Sequence, residues 1–189
     1  MGDGVEYFLE RTRGWLIVAH VAGAVIWFQA ALYLTGLYSS HVTAQGGSSL
    51  EETPFYSGAV AADHLGAVRE AGGVEQALLF FTADTVNALL VGAALAALIG
   101  FGLRSLNLQR HAVRYVVAVP LASGAADIIE NLLLAIALLY PSATAAVGAL
   151  AGYATGAKFL LFLTAACLAL AGVAIGLVVV VLWRLRGKQ

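Results

Sequence analysis

The sequence predicts an all-α integral membrane protein. Its expected form is a four-transmembrane-helix antiparallel bundle with an ordered outer loop between helices 1 and 2. Three observations predict it. Of 189 residues, 61% are hydrophobic and 11% charged, with a mean hydropathy of +0.88, against about 45–50% and about 25% in soluble domains. Four stretches reach the about 20 mainly apolar residues that a spanning helix needs. Finally, the stretches 14–38, 86–103 and 159–183 hold no Asp, Glu, Lys or Arg, and His20 is their one imidazole.

The first span covers about 14–38. Its apolar run is too long, and the segment before it too acidic, for a cleaved signal peptide. The outer loop, 39–75, carries punctuation of its own. Gly46-Gly47-Ser48-Ser49 reads as a flexible turn and Thr53-Pro54-Phe55-Tyr56 as an ordered corner. Ser57 to Glu70 alternates apolar and polar residues as a short amphipathic helix, ended by Gly72-Gly73. Spans 2 and 3 follow at about 76–103 and 113–140. The fourth, 152–183, lies within an apolar stretch that starts near 144, where Gly148, Gly152 and Gly156 allow a break or kink. The whole chain, 1–189, is read as one bundle domain.

Orientation follows from the basic residues. Arg11 and Arg13, then Arg104, Arg110 and Arg114, then Arg184, Arg186 and Lys188 flank one side, while the outer loop has Arg69 against five acids. The positive-inside rule puts both termini in the cytoplasm of a multi-pass protein of the cell membrane. Trp15 and Trp183 fit the inner aromatic belt, and Tyr33, Tyr38 and Tyr140 the outer one.

A net charge of -1 without a basic stripe argues against a nucleic-acid partner. One cysteine, Cys167, excludes an intrachain disulfide and is expected as a small buried packing group. The bilayer is the expected partner.

Function points to the polar residues that interrupt the spans. An ionisable group near the bilayer centre costs at least about 2.5–3.5 kcal/mol, so it faces a cavity, a partner or the bundle interior. Asp84 and Asn87 lie on span 2, Asp127, Glu130 and Asn131 on span 3, and Lys158 on span 4. Spacings of i,i+3 and i,i+4 give each set one helix face. Asp84 lies about 12 Å below the start of its span at 1.5 Å per residue. Asp127 falls near mid-membrane, with Glu130 and Asn131 a turn further out. Lys158 reaches the same outer half if its span enters near Gly152. Three carboxylates facing one ammonium leave excess negative charge, so a shared proton or a bound cation is expected.

Three classes of function fit. The first binds or moves a proton, cation or small polar solute, with Asp127 and Glu130 as principal ligands, Asp84 as a coupled acid, Asn87 and Asn131 as neutral partners and Lys158 as counter-charge. Acid–base chemistry on a lipid or isoprenoid is the second, reached through a sideways tunnel lined by Phe80, Phe81, Phe159 and Phe162. In the third, a structural or accessory subunit, the charges only hold helices together. Nucleophilic catalysis finds no support, because Thr82, Thr85, Ser123 and Thr155 have no histidine at their depth.

His20 and Gln29 are a weaker signal, expected in a different layer. A metal is not expected, the irregular set His41, Asp63 and His64 being its one candidate. Small-residue ridges, Ala118-Ala122-Ala126 and Gly148-Gly152-Gly156, allow close helix approach and a homo-oligomer.

His20-Val-Ala-Gly-Ala-Val-Ile-Trp27-Phe28, with Tyr33-Leu34, Leu37 and His41, resembles the first helix of haem-carrying bacterial membrane protoporphyrinogen oxidases. That resemblance implies a haem test at His20. The arginine that the family has after Tyr-Leu is missing, the rest of the chain does not follow it, and no cofactor is assigned. Ala126-Asp127-Ile-Ile-Glu130-Asn131 with Ala157-Lys158 resembles a pattern in uncharacterised bacterial four-span proteins, which implies no function.

Overall fold

The computed structural model describes residues 14–106 and 115–186. Within them the chain is all-helical, 89% helical and without strands. Four helical segments are long and apolar enough to cross a membrane: Ile17–Leu34, Val74–Ser105, Tyr115–Leu139 and Pro141–Trp183. Arg11, Arg13, Arg110, Arg114 and Lys188, which carry much of the orientation argument, lie outside the described residues.

Helix α1 (Gly14–Trp27) continues as a π-helical stretch, Phe28–Leu34, and stops there. Gly36, at φ 72°, turns the chain into a separate short helix, α2 (Leu37–Ala44). The apolar run to Tyr38 is therefore two elements, because glycine accepts a left-handed conformation that would strain other residues. A turn at Leu50–Glu52 leads to α3 (Gly58–Glu70). Ser57 caps α3 by accepting from Val60 N at 3.3 Å, and Gly72, at φ 70°, ends it. Then follow α4 (Val74–Ser105), α5 (Ala118–Leu139) and α6 (Thr144–Arg186).

Helices α4, α5 and α6 pack on one another, whereas α1 packs chiefly on α4. One hydrogen bond ties that pair, from Trp27 Nε1 to Ala83 O at 3.1 Å. Small residues set the close approaches. A Cβ on Gly124 would stand 3.1 Å from Ala88 O, one on Gly92 3.1 Å from Pro120 O, and one on Gly102 2.4 Å from Gly172 Cα. The expected alanine ridge is not what brings α5 against α4, since Ala122 is exposed. Cys167 is exposed as well, on an apolar stretch of α6 and not in the core.

The 43 residues of α6 run unbroken through all three glycines. Helical structure is continuous at those glycines, and all three are buried within the chain. They receive the segment between α1 and α4. A Cβ on Gly148 would lie 2.4 Å from Ala61 Cβ, on Gly152 2.1 Å from Tyr56 O, and on Gly156 2.1 Å from the Phe55 ring. Phe55 itself has φ 58°, a costly conformation for a bulky residue, held by seating its ring on Gly156.

This segment also builds the largest core. Leu50, Tyr56, Ala61, Leu65 and Val68 pack with Phe80 and Phe81 of α4 and with Leu134 and Leu138 of α5. Arg69 anchors it by donating to Ala137 O and Leu138 O, both at 3.2 Å, and to Thr144 Oγ1 at 3.3 Å. A cation on the last carbonyls of α5 also opposes the negative end of the helix dipole.

Two substitutions test this seat. Gly152→Ala should cost about 1–3 kcal/mol as an overpacked contact, and Arg69→Ala about 1–3 kcal/mol, chiefly by leaving Leu138 O without its donor, since Ala137 O still accepts from Thr144. Thermal unfolding of each variant in detergent checks both, with Gly23→Ala, where a Cβ meets nothing within 4 Å, as the neutral comparison.

Candidate functional site

Two hydrogen-bonded groups meet along α5, because residues 127, 130 and 131 fall on adjacent lines of one helix. Toward α6, Lys158 Nζ stands 3.2 Å from Asp127 Oδ1 and 2.5 Å from Glu130 Oε2. Thr155 Oγ1, one turn before Lys158, lies 2.7 Å from Glu130 Oε1. Toward α4, Asn131 Nδ2 donates to Asp84 Oδ2 at 3.2 Å and to Thr85 Oγ1 at 3.5 Å. Asn87 Nδ2 donates to Asp84 Oδ1 at 3.4 Å. All six residues singled out from the sequence thus lie in one contiguous cluster carried by three helices, with Glu130 fully buried.

The cluster is not internally complete. Asn87 Oδ1 and Asn131 Oδ1 are buried without a hydrogen-bond partner, and the Lys158 contact with Glu130 Oε2 lies outside hydrogen-bonding directions. Where Asp84 is ionised its carboxylate only accepts, so it draws both NH2 groups toward itself and leaves the two amide oxygens over. Every unmatched atom of this cluster is therefore an acceptor.

A second buried network sits in the connecting segment, and the sequence reading did not foresee it. His41 Nε2 lies 2.9 Å from Glu51 Oε1 and 2.6 Å from Gln45 Nε2. Ser49 donates its hydroxyl to Glu51 Oε2, and Leu50 N donates to Gln45 Oε1 at 2.9 Å. The imidazole stacks on Phe80 at 4.0 Å between centroids and meets Phe81 edge-on at 5.3 Å. His41 and Gln45 are spaced i,i+4, which was a visible signal. Glu51 as their partner was not, because a reversing turn brings it back. The three residues His41, Asp63 and His64 do not form a metal-binding group among the described residues.

Burial by itself would raise the Glu51 carboxyl. The hydrogen bond and positive charge of His41, with the Ser49 hydroxyl, outweigh it and bring the pKa down to about 2. Nearby, the Tyr38 hydroxyl donates a hydrogen bond to Glu52, and that bond with partial burial and the Glu52 charge pushes the phenol up to about 12.

Two cavities meet at the ion pair, sharing Phe28, Glu51, Asp127 and Lys158 as walls. The smaller, about 170 Å³, runs past Tyr33, Tyr38 and Glu52 to Asp84. The larger, about 420 Å³, lies between α1 and the α4–α5–α6 core, and Phe159 and Phe162 line it. Phe80 and Phe81 are packed under His41 and do not line it; Phe80 lines the smaller cavity instead. Gln29 also lines the larger cavity, so it belongs to this layer and not to another. His20 is half-buried further back along α1.

The lowered Glu51 pKa gives a signed pH dependence. Its contribution to stability is fully present above the ordinary carboxylate value of about 4.5 and is lost as pH falls toward about 2. Glu51→Gln should lower the melting temperature at pH 7 and flatten the acid limb of the stability curve between those values; an unchanged acid limb would show that the pair is not formed. Comparison with known protein families, with curated proteins and with solved structures returns no match.

Proposed function

We propose that this chain is a multi-pass membrane protein that binds or moves a proton, a cation or a small polar solute bearing hydrogen-bond donors. In this reading the four long helices form an antiparallel bundle, both termini are cytoplasmic, and the segment between α1 and α4 caps the outer side. The excess of basic residues on the opposite side supports that orientation.

One observation carries the assignment: what the cluster lacks is a donor. Asp84, Asp127 and Glu130 share Lys158 as the cation of their cluster, and two amide oxygens stand unmatched. Unpaired buried acceptors cost about 1–3 kcal/mol each, so a cationic donor gains both charge and hydrogen bonds there. Asp127 and Glu130 act as principal ligands, Asp84 as a coupled acid, Asn87 and Asn131 as neutral ligands, and Lys158 as the internal counter-charge that the solute partly displaces. Acid–base chemistry on a lipid-borne substrate is the second reading, favoured by the apolar cavity that leads to Asp127.

Calorimetric titration with sodium, potassium and ethylammonium chlorides, and proton flux in proteoliposomes, test the proposal. At least one probe should bind saturably or be carried, and Asp127→Asn with Glu130→Gln should abolish this while the helical spectrum is kept. Unchanged binding and flux in that double variant would overturn it. Lys158→Met alone should destabilise by about 3–5 kcal/mol, as expected when one partner of a buried pair is removed, and Glu130→Gln in addition should recover part of the loss.

A further inference from the structure

The larger cavity is the wrong shape for a small hydrated solute and the right one for a chain. Its volume, about 420 Å³, falls within the usual range for ligand sites. Its walls are mostly apolar: Val25 and Phe28 of α1, Val91 and Leu95 of α4, and Phe159 and Phe162 of α6. The charged wall, Asp127 with Lys158, and the unmatched acceptor Asn87 Oδ1 belong to one end. From Asn87 to Leu95 along α4 the cavity extends about 12 Å, at 1.5 Å per residue.

It also lies on a side left open. Because α1 packs chiefly on α4, the flank between α1 and α6 is closed by side chains alone. Val25, Phe28, Phe159 and Phe162 line the cavity and are at the same time exposed on the molecular surface. On helices that span a bilayer, such exposure faces acyl chains.

Depth agrees. With Arg104 at one membrane face, Asp84 lies 20 residues away. That separation is about 30 Å of helix rise, and the hydrocarbon is about 30 Å thick. On this measure the acidic end sits at the opposite head-group border, and not with Asp127 near mid-membrane as the sequence predicts, while the apolar chamber lies below it among the chains.

We propose that the ligand is a single-chain amphiphile with a protonated amine head, entering sideways from the bilayer between α1 and α6. Resting on the function proposed above, this names its solute class. The ammonium sits among Asp127, Asp84 and Asn87 Oδ1, beside the Phe28 ring, where a ring quadrupole as well as charge holds a cation. The chain fills the chamber toward Leu95. Charge complementarity selects this occupant: an anionic or neutral head would leave the surplus carboxylates unmatched.

Photolabelling in phosphatidylcholine nanodiscs tests it, using a long-chain primary amine with a mid-chain diazirine and the alcohol of equal length. The amine should label peptides around Val25, Val91 and Phe162 at least about tenfold more than the alcohol, a difference worth about one decade of affinity. Val91→Phe, or Val25→Trp should the first not fold, should remove that labelling. Equal labelling by alcohol and amine, or labelling that survives both variants, would overturn the proposal. So would covalent dimers formed through the chamber wall, because a second copy would then be the occupant. Ethylammonium that binds the acids while the long amine leaves the chamber unlabelled would refute the amphiphile and spare the cation site. Binding of neither would refute both.

Discussion

Lys158 is the charge on which the packing of α5 against α6 turns. Its ammonium touches a carboxylate from each of two successive turns of α5, at 3.2 and 2.5 Å, with Glu130 fully buried and Asp127 largely so. Charges taken out of water are tolerable only in pairs. The register of the two helices is thus fixed at this level: a slide of one turn would strand the amine among alanines and leucines. Asp84 is fixed less directly, through the amides of Asn87 and Asn131, which tie α4 to the same level with neutral groups.

Around that level the fold separates two tasks. The segment between α1 and α4 supplies most of the apolar packing at one end, while the charged layer just beneath it holds polar groups that the packing alone would exclude. The glycines of α6 make this division possible. Without a side chain at Gly148, Gly152 and Gly156, backbone and rings of the segment come directly against the helix, close enough for Glu51 to reach the cavity wall beside Asp127.

Much of this was legible in the chain itself. Helical character, the four apolar helices and the side-by-side placement of Asp127, Glu130 and Asn131 all follow from composition and the 3.6-residue period, which depend on local order alone. The α3 helix was readable because Ser57 and Gly72 mark its ends. What escaped depended on long-range contact. The seat of Phe55 on Gly156 joins residues a hundred positions apart, and the same glycine spacing reads equally as a kink or an oligomer face. Arg69 looked like a topology marker because its acceptors, the last carbonyls of α5, are backbone atoms with no sequence signature. The Glu51 side chain turns back to His41 through a reversal that no periodicity encodes.

The connecting segment is bolted at several levels to one continuous rod, α6, and by Arg69 to the top of its neighbour, so it cannot lift in pieces. Stiffness is accordingly uneven around the chamber. Three walls are cross-braced, and the fourth, α1, leans on α4 with a wide-pitched π-helical stretch above it and a glycine pivot at Gly36. The least braced wall of the chamber is therefore α1, which joins the rest of the molecule chiefly through α4.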